Sequence, residues 1–182
     1  MTKKLSLFYS RESQAQYYEA YDAVLKHWPA PYEELSISTR FGDTHIIASG
    51  SKDAPPLVLL HPSGGGATIW CRNVGQFSQR YRTYAVDVMR EVNKSILTRP
   101  IKSHRDFADW NADLFDGLHI ESAYMVGNSF GGFVTLNTAF YLPKRVKKIV
   151  LISPAATFVQ MWPWWWHFWL PTGIGYVMRS NR

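Results

Sequence analysis

Ala123-Tyr124-Met125-Val126-Gly127-Asn128-Ser129-Phe130-Gly131 runs from four apolar residues straight into a Gly-x-Ser-x-Gly motif. A helical pattern follows from Ser129 to Leu142, where Pro143 stops it. A serine between a strand and a helix, with a glycine two residues to either side, is held in a sharp turn that leaves its hydroxyl free. Gly127 and Gly131 let neighbouring backbone approach the turn, and Gly132 adds room. The spacing therefore marks Ser129 as a nucleophile on a strand-to-helix elbow.

Outward from that turn the chain alternates strands and helices. Upstream lie a helix from about Glu12 to Lys26, ended by Trp28-Pro29-Ala30-Pro31, and strand-like runs Glu34–Thr39 and Thr44–Ser49 joined as a hairpin around Phe41-Gly42-Asp43. Leu57-Val58-Leu59-Leu60 is apolar throughout, as in a strand covered on both faces. Next come a helix from about Thr68 to Arg80, a strand Thr83–Val88, a looser segment to Lys102, and a helix opened by the Ser103/Asp106 capping pair and reaching about Leu118. Downstream of the elbow helix, Lys148–Ser153 is a further strand. This order predicts an α/β fold: a mostly parallel sheet with an N-terminal antiparallel hairpin, helices on both faces, and about six strands.

A second motif stands where the first needs a partner. His61-Pro62-Ser63-Gly64-Gly65-Gly66 follows the third strand, where a backbone N–H helps to hold a tetrahedral oxyanion together with the N–H after the nucleophile. Those donors are Phe130 and Ser63, or else Gly64, since Pro62 has no N–H. His61 is read as a structural histidine beneath the loop, because the loop's task needs backbone rather than imidazole. The glycine run lacks the Gly-Lys-Ser/Thr ending of a phosphate loop.

Composition narrows the class. With 182 residues, 46% hydrophobic and 19% charged, the chain can bury a substantial core. Cys71 is the only cysteine, which excludes an internal disulfide or a multi-cysteine metal site, so no metal or other cofactor is expected. The start has no apolar run long enough for a signal peptide, and a cytoplasmic setting is expected. The net charge of +6 lies wholly in residues 122–182, with six Lys and Arg and no acid; residues 1–121 carry fourteen of each sign. Lys144, Arg145, Lys147 and Lys148 fall at a helix end and the start of a strand, which is no nucleic-acid reading pattern, so no nucleic-acid partner is expected.

With both glycine motifs in order, the chain resembles the α/β-hydrolase family, in particular its small carboxylesterase-like bacterial members. The resemblance covers about residues 33–160 and includes His61 to Gly64, Trp70, the strand ending in Asp87, the Ser129 elbow and the run into Ser153-Pro154-Ala155. It implies hydrolysis of a small-molecule ester or related acyl compound through an acyl-serine. Departures accompany it: Met89 to Ser95 replaces the family's usual Pro-Gly-His-Gly-type residues after the fourth strand. The family places an acid and then a histidine after the serine, whereas Ser122 to Arg182 has no Asp or Glu and His167 alone. The expectation is therefore a C-terminally truncated hydrolase, catalytically incomplete, or else a non-catalytic remnant or binding module of the same fold. Asp87 is read first as a loop anchor, and His104 and His119 as surface residues.

The expected organisation is a helical extension at 1–31, a partial hydrolase core at 32–156, and the start of a tryptophan-rich cap at 157–182. Phe158 to Met178 holds five tryptophans and two prolines, which rule out a spanning helix. Trp162 and Trp166 are expected to line an apolar acyl pocket; contact with a membrane surface is a less favoured reading. A sheet ending at its sixth strand would leave an edge open to self-association.

Overall fold

A computed structural model describes residues 7–157. Helix α1 (Arg11–Leu25) starts on a Ser10 capping box with Ser13. The hairpin strands β1 (Tyr32–Thr39) and β2 (Gly42–Ser49) pair antiparallel from Tyr32↔Ser49 to Thr39↔Gly42, so the turn itself is Arg40-Phe41. Then come β3 (Pro56–Leu60), a 3₁₀ turn (Ala67–Trp70), α2 (Cys71–Phe77), β4 (Arg82–Val86), β5 (Ile96–Leu97), α3 (His104–Gly117), β6 (Ala123–Asn128), α4 (Phe130–Tyr141), a 3₁₀ turn (Pro143–Arg145) and β7 (Val146–Ile152).

The sheet order is β1-β2-β4-β3-β6-β7, with β5 paired to β2. Strands β4, β3, β6 and β7 are mutually parallel, while β2 runs antiparallel to β1, β4 and β5. Two details depart from the sequence reading. The loose segment before Lys102 contains the short strand β5, and the expected helix Thr68–Arg80 is divided into a 3₁₀ turn and α2, its first turn held tight by Ile69 N–H donating to Gly66 C=O at 3.1 Å.

Side-chain alternation divides the core between the two sheet faces. Ile46, Ala48, Val58, Leu60, Tyr84, Val86 and Met125 pack with Phe107, Trp110 and Leu114 of α3 and Val134 of α4. The intervening residues Ile47, Leu57, Leu59, Ala85 and Val126 pack with Tyr21 and Leu25 of α1, Trp70, and Val74 of α2. The apolar run of β3 is thus buried on both faces, and the glycine loop and the Ser129 turn follow the carboxyl ends of the parallel strands β3 and β6.

Candidate functional site

Ser129 sits between β6 and α4 with φ 50° and ψ −110°, a conformation a non-glycine residue holds at a cost of about 1–3 kcal/mol. It is pinned by main chain alone. Its N–H donates to Ile152 C=O at 2.9 Å, and its C=O accepts from Phe133 at 3.1 Å and Ala155 at 3.0 Å. The hydroxyl caps nothing and bonds to no described residue, although Ser129 is half-buried. A Cβ on Gly127 would strike the Gly131 carbonyl and Thr135 Oγ1; one on Gly131 would strike the Leu60 carbonyl and lie 2.7 Å from that of His61. The turn therefore closes only with glycine at both places, and the second glycine brings the loop after β3 against the start of α4.

That loop is fixed by side chains from elsewhere. His61 is fully buried; its Nδ1–H donates to Pro62 C=O at 2.8 Å, and its Nε2 accepts from Val88 N–H at 2.9 Å. The second bond requires the neutral ring, and burial pushes the imidazole below its usual range against smaller upward pulls from the Pro62 carbonyl and the charges of Asp87 and Glu91. Asp87, fully buried, accepts from Ala67 N–H at 2.6 Å, Lys94 N–H at 3.2 Å and His45 Nδ1–H at 3.0 Å. Glu91 accepts from Ser63 Oγ–H at 2.9 Å and Gly64 N–H at 2.8 Å. Gly65 N–H turns back to Pro62 C=O at 3.2 Å. Ser63 N–H and Phe130 N–H have no hydrogen-bond partner among the described residues.

The remaining candidates lie apart from the serine. Asp87 directly follows β4, which is separated from β6 by β3, so it is not on the strand next to Ser129. His104 and His119 are exposed. No described histidine or carboxylate bonds to Ser129. His45 and Glu91 were not singled out from the sequence; the first is held between Asp87 and Glu34 (2.8 Å), the second belongs to the segment read only as a reshaped loop. Trp162, Trp166 and His167 lie outside the described residues, as does most of the expected cap.

A cavity of about 700 Å³ opens between α1 and Gly64–Gly66, with Tyr17, Tyr21, Ile69 and Arg72 in its wall. Ser129 is not part of that wall. Burial, and then the Asp87 charge, push the Tyr17 phenol up to about 12, so it stays protonated there. Among the described residues no group of three His, Cys, Asp or Glu side chains could hold a metal ion. No described helix is long and apolar enough to cross a membrane.

Comparison with known proteins joins these features. Residues 55–175 match the family model described as alpha/beta hydrolase fold. The uncharacterized carboxylesterase nap of Bacillus subtilis (strain 168) is 46% identical over 79% of this chain and 48% of its own length; carboxylesterase YbfK of the same strain is 44% identical over 86% and 53%. The crystal structure of naproxen esterase (carboxylesterase NP) from Bacillus subtilis superposes with a TM-score of 0.84 at 42% identity, covering 92% of this chain and 57% of that one. The chain thus spans about half the length of the curated relatives it matches. Its sheet order, its strand-to-helix turn at Ser129 and these likenesses together show that the chain belongs to the alpha/beta hydrolase fold family.

Proposed function

We propose that this chain carries the nucleophile and oxyanion half of a carboxylic-ester hydrolase. The observation that supports this most is the strained Ser129, its hydroxyl unbonded among the described residues, beside a loop whose Ser63 N–H is free. In this reading Ser129 Oγ bonds to the ester carbonyl carbon while the carbonyl π pair moves onto oxygen, facing the N–H groups of Ser63 and Phe130. Collapse of that oxyanion expels the alkoxide, which takes up the proton lost by Ser129, and water then cleaves the acyl-serine. With Gly64 N–H engaged by Glu91, Ser63 is the better of the two loop donors. The names of the Bacillus carboxylesterases agree with a carboxylic-ester substrate.

A second reading is a binding module of the same fold that keeps the site without turning over. From Ser122 to Arg182 the chain offers no carboxylate and only His167 as a base. Loss of the base in dissected triads lowers turnover by about 10⁴–10⁶, leaving roughly 10³–10⁴ over water. The 182-residue chain should therefore show negligible steady-state hydrolysis of p-nitrophenyl acetate. Turnover near about one per second, abolished by Ser129→Ala, would overturn this expectation; the magnitude is that of ordinary enzymes.

Self-association belongs to the same proposal. β7 has β6 as its only strand neighbour among the described residues, with Val150 56% and Ile152 43% exposed. Light scattering across a concentration series checks it, and a monomer at every concentration removes it.

A further inference from the structure

We infer that Glu91 is a positioning residue for the oxyanion site: its carboxylate orients the Ser63 peptide by gripping the Ser63 hydroxyl and the N–H that follows it. The inference rests on Ser129 being the nucleophile and goes beyond it by assigning a residue outside both glycine motifs. Glu91 takes the Ser63 hydroxyl on one oxygen (2.9 Å) and the Gly64 N–H on the other (2.8 Å), a charge-assisted pair. Of the N–H groups from Ser63 to Gly65, those of Gly64 and Gly65 are occupied, leaving that of Ser63 alone unpaired among the described residues. The two contacts thus immobilise the residue that carries the unpaired donor while leaving that donor open.

The approach of Glu91 is itself built. Arg90 adopts φ 73°, a left-handed conformation that a non-glycine side chain disfavours, and Glu91 N–H lies 3.4 Å from Val88 C=O across the same turn. The rest of the segment is cemented: Asn93 Nδ2 donates to Val88 C=O at 2.8 Å, Ser95 N–H to Asn93 Oδ1 at 2.9 Å, and Ser95 Oγ–H to Asp87 C=O at 2.7 Å. Strain held by so many contacts and spent on aiming one carboxylate is the pattern of a functional constraint. Ser63 and Gly64 are solvent-exposed, so two hydrogen bonds on them contribute little to folding, and their effect should appear in chemistry instead.

The test acylates the full 182-residue chain with p-nitrophenyl acetate. The Ser129 Oγ–acetyl bond forms, the bond to p-nitrophenolate breaks with its electron pair leaving on that oxygen, and the hydroxyl proton passes to solvent. Acetyl-Ser129 is followed by peptide mapping, with Ser129→Ala as the background. Outright loss of an oxyanion donor costs about 10²–10³ in rate, and a loosened donor should lose part of that, about tenfold. Glu91→Ala should slow acetylation by that factor with an unchanged melting temperature. Glu91→Gln should recover most of the rate, since its carbonyl accepts from Gly64 N–H and its amide donates to Ser63 Oγ. Wild-type acylation kept by Glu91→Ala, or lost equally in Glu91→Gln, overturns the assignment. If wild type gains no acetyl on Ser129 above background, the nucleophile reading itself falls and the role of Glu91 falls with it. A lowered melting temperature in Glu91→Ala marks the contact as structural and also counts against the proposal.

Discussion

The turn at Ser129 and the loop after β3 face each other across a glycine contact, but they are made rigid in opposite ways. The serine turn is held by backbone bonds to Ile152, Phe133 and Ala155, with glycines at 127 and 131 where nothing larger fits. The loop is held by the side chains of His61, Asp87 and Glu91, two of them reaching in from beyond β4. Backbone-made geometry depends on what is missing at a position, namely a Cβ. Geometry made by side chains depends on partners far along the chain. The two should therefore fail differently under mutation.

The largest effect is expected at the glycine contact. Gly131→Ala places a methyl group against the Leu60 and His61 carbonyls, which belong to a central buried strand and its loop and have little freedom to yield. A loss of about 3 kcal/mol is expected, at the upper end for overpacking, and urea denaturation measures it. A cost below about 1 kcal/mol would mean that the loop and α4 separate easily, and the contrast between the two regions would collapse.

Asp87→Ala comes next, with an expected loss of about 2 kcal/mol from leaving buried donors without an acceptor. It orphans Ala67 N–H and Lys94 N–H and frees one side of His45. Because Lys94 also reaches Asp22 of α1 at 2.6 Å and Glu34 of β1 at 2.9 Å, amide exchange should rise in the loop and in α1 together. Exchange confined to Ala67 would show that the carboxylates act singly rather than as a set.

How far each region was legible in the sequence follows from the same contrast. Gly127 to Gly131 is five residues of local code, and the apolar run of β3 with its flanking turns fixes a central strand without knowledge of any partner. The hairpin, α1, α3 and α4 were likewise legible, since their caps and periods are local. Glu91, by contrast, looks like any charged loop residue; only the fold brings it 27 positions back in sequence onto Gly64. His45 is similar, a strand residue whose partners Asp87 and Glu34 lie 42 and 11 positions away. β5 escaped because two residues carry no period, and they pair only because Gly42 and Asp43 present an edge to them.

A smaller effect of opposite sign should appear at the serine itself. Ser129→Gly removes the Cβ that makes φ 50° unfavourable, and the relief of strain exceeds the added freedom of the unfolded chain, giving a gain of about 1 kcal/mol. Ser129→Ala keeps the Cβ and should gain nothing from this source. Equal stability of the two variants would show that no strain is stored at the turn, and with it would go the claim that this region spends stability on placing a hydroxyl.

The smallest expected effect tests the side-chain-held region by pH. His61 must stay neutral to accept from Val88 N–H, and burial holds its folded pKa below the unfolded value of about 6.5. When a folded pKa is depressed, the unfolded chain binds the proton more readily. The contribution is thus complete above about pH 6.5 and is lost as pH falls toward the folded pKa. Between about pH 7 and 6 the loss should be less than about 1 kcal/mol, growing at lower pH. His61→Gln, with a carbonyl oxygen to accept and no proton to gain, should flatten that part of the profile while leaving the Ser129 turn untouched. A profile unchanged by the substitution would assign the acid sensitivity to other groups, such as Glu34, whose hydrogen bonds from Lys94 and His45 together outweigh the upward push of burial and hold it below the usual carboxylate range. Its contribution is complete above about pH 4.3 and disappears only as pH falls below that, so the two sources separate on the pH axis even where their magnitudes are alike.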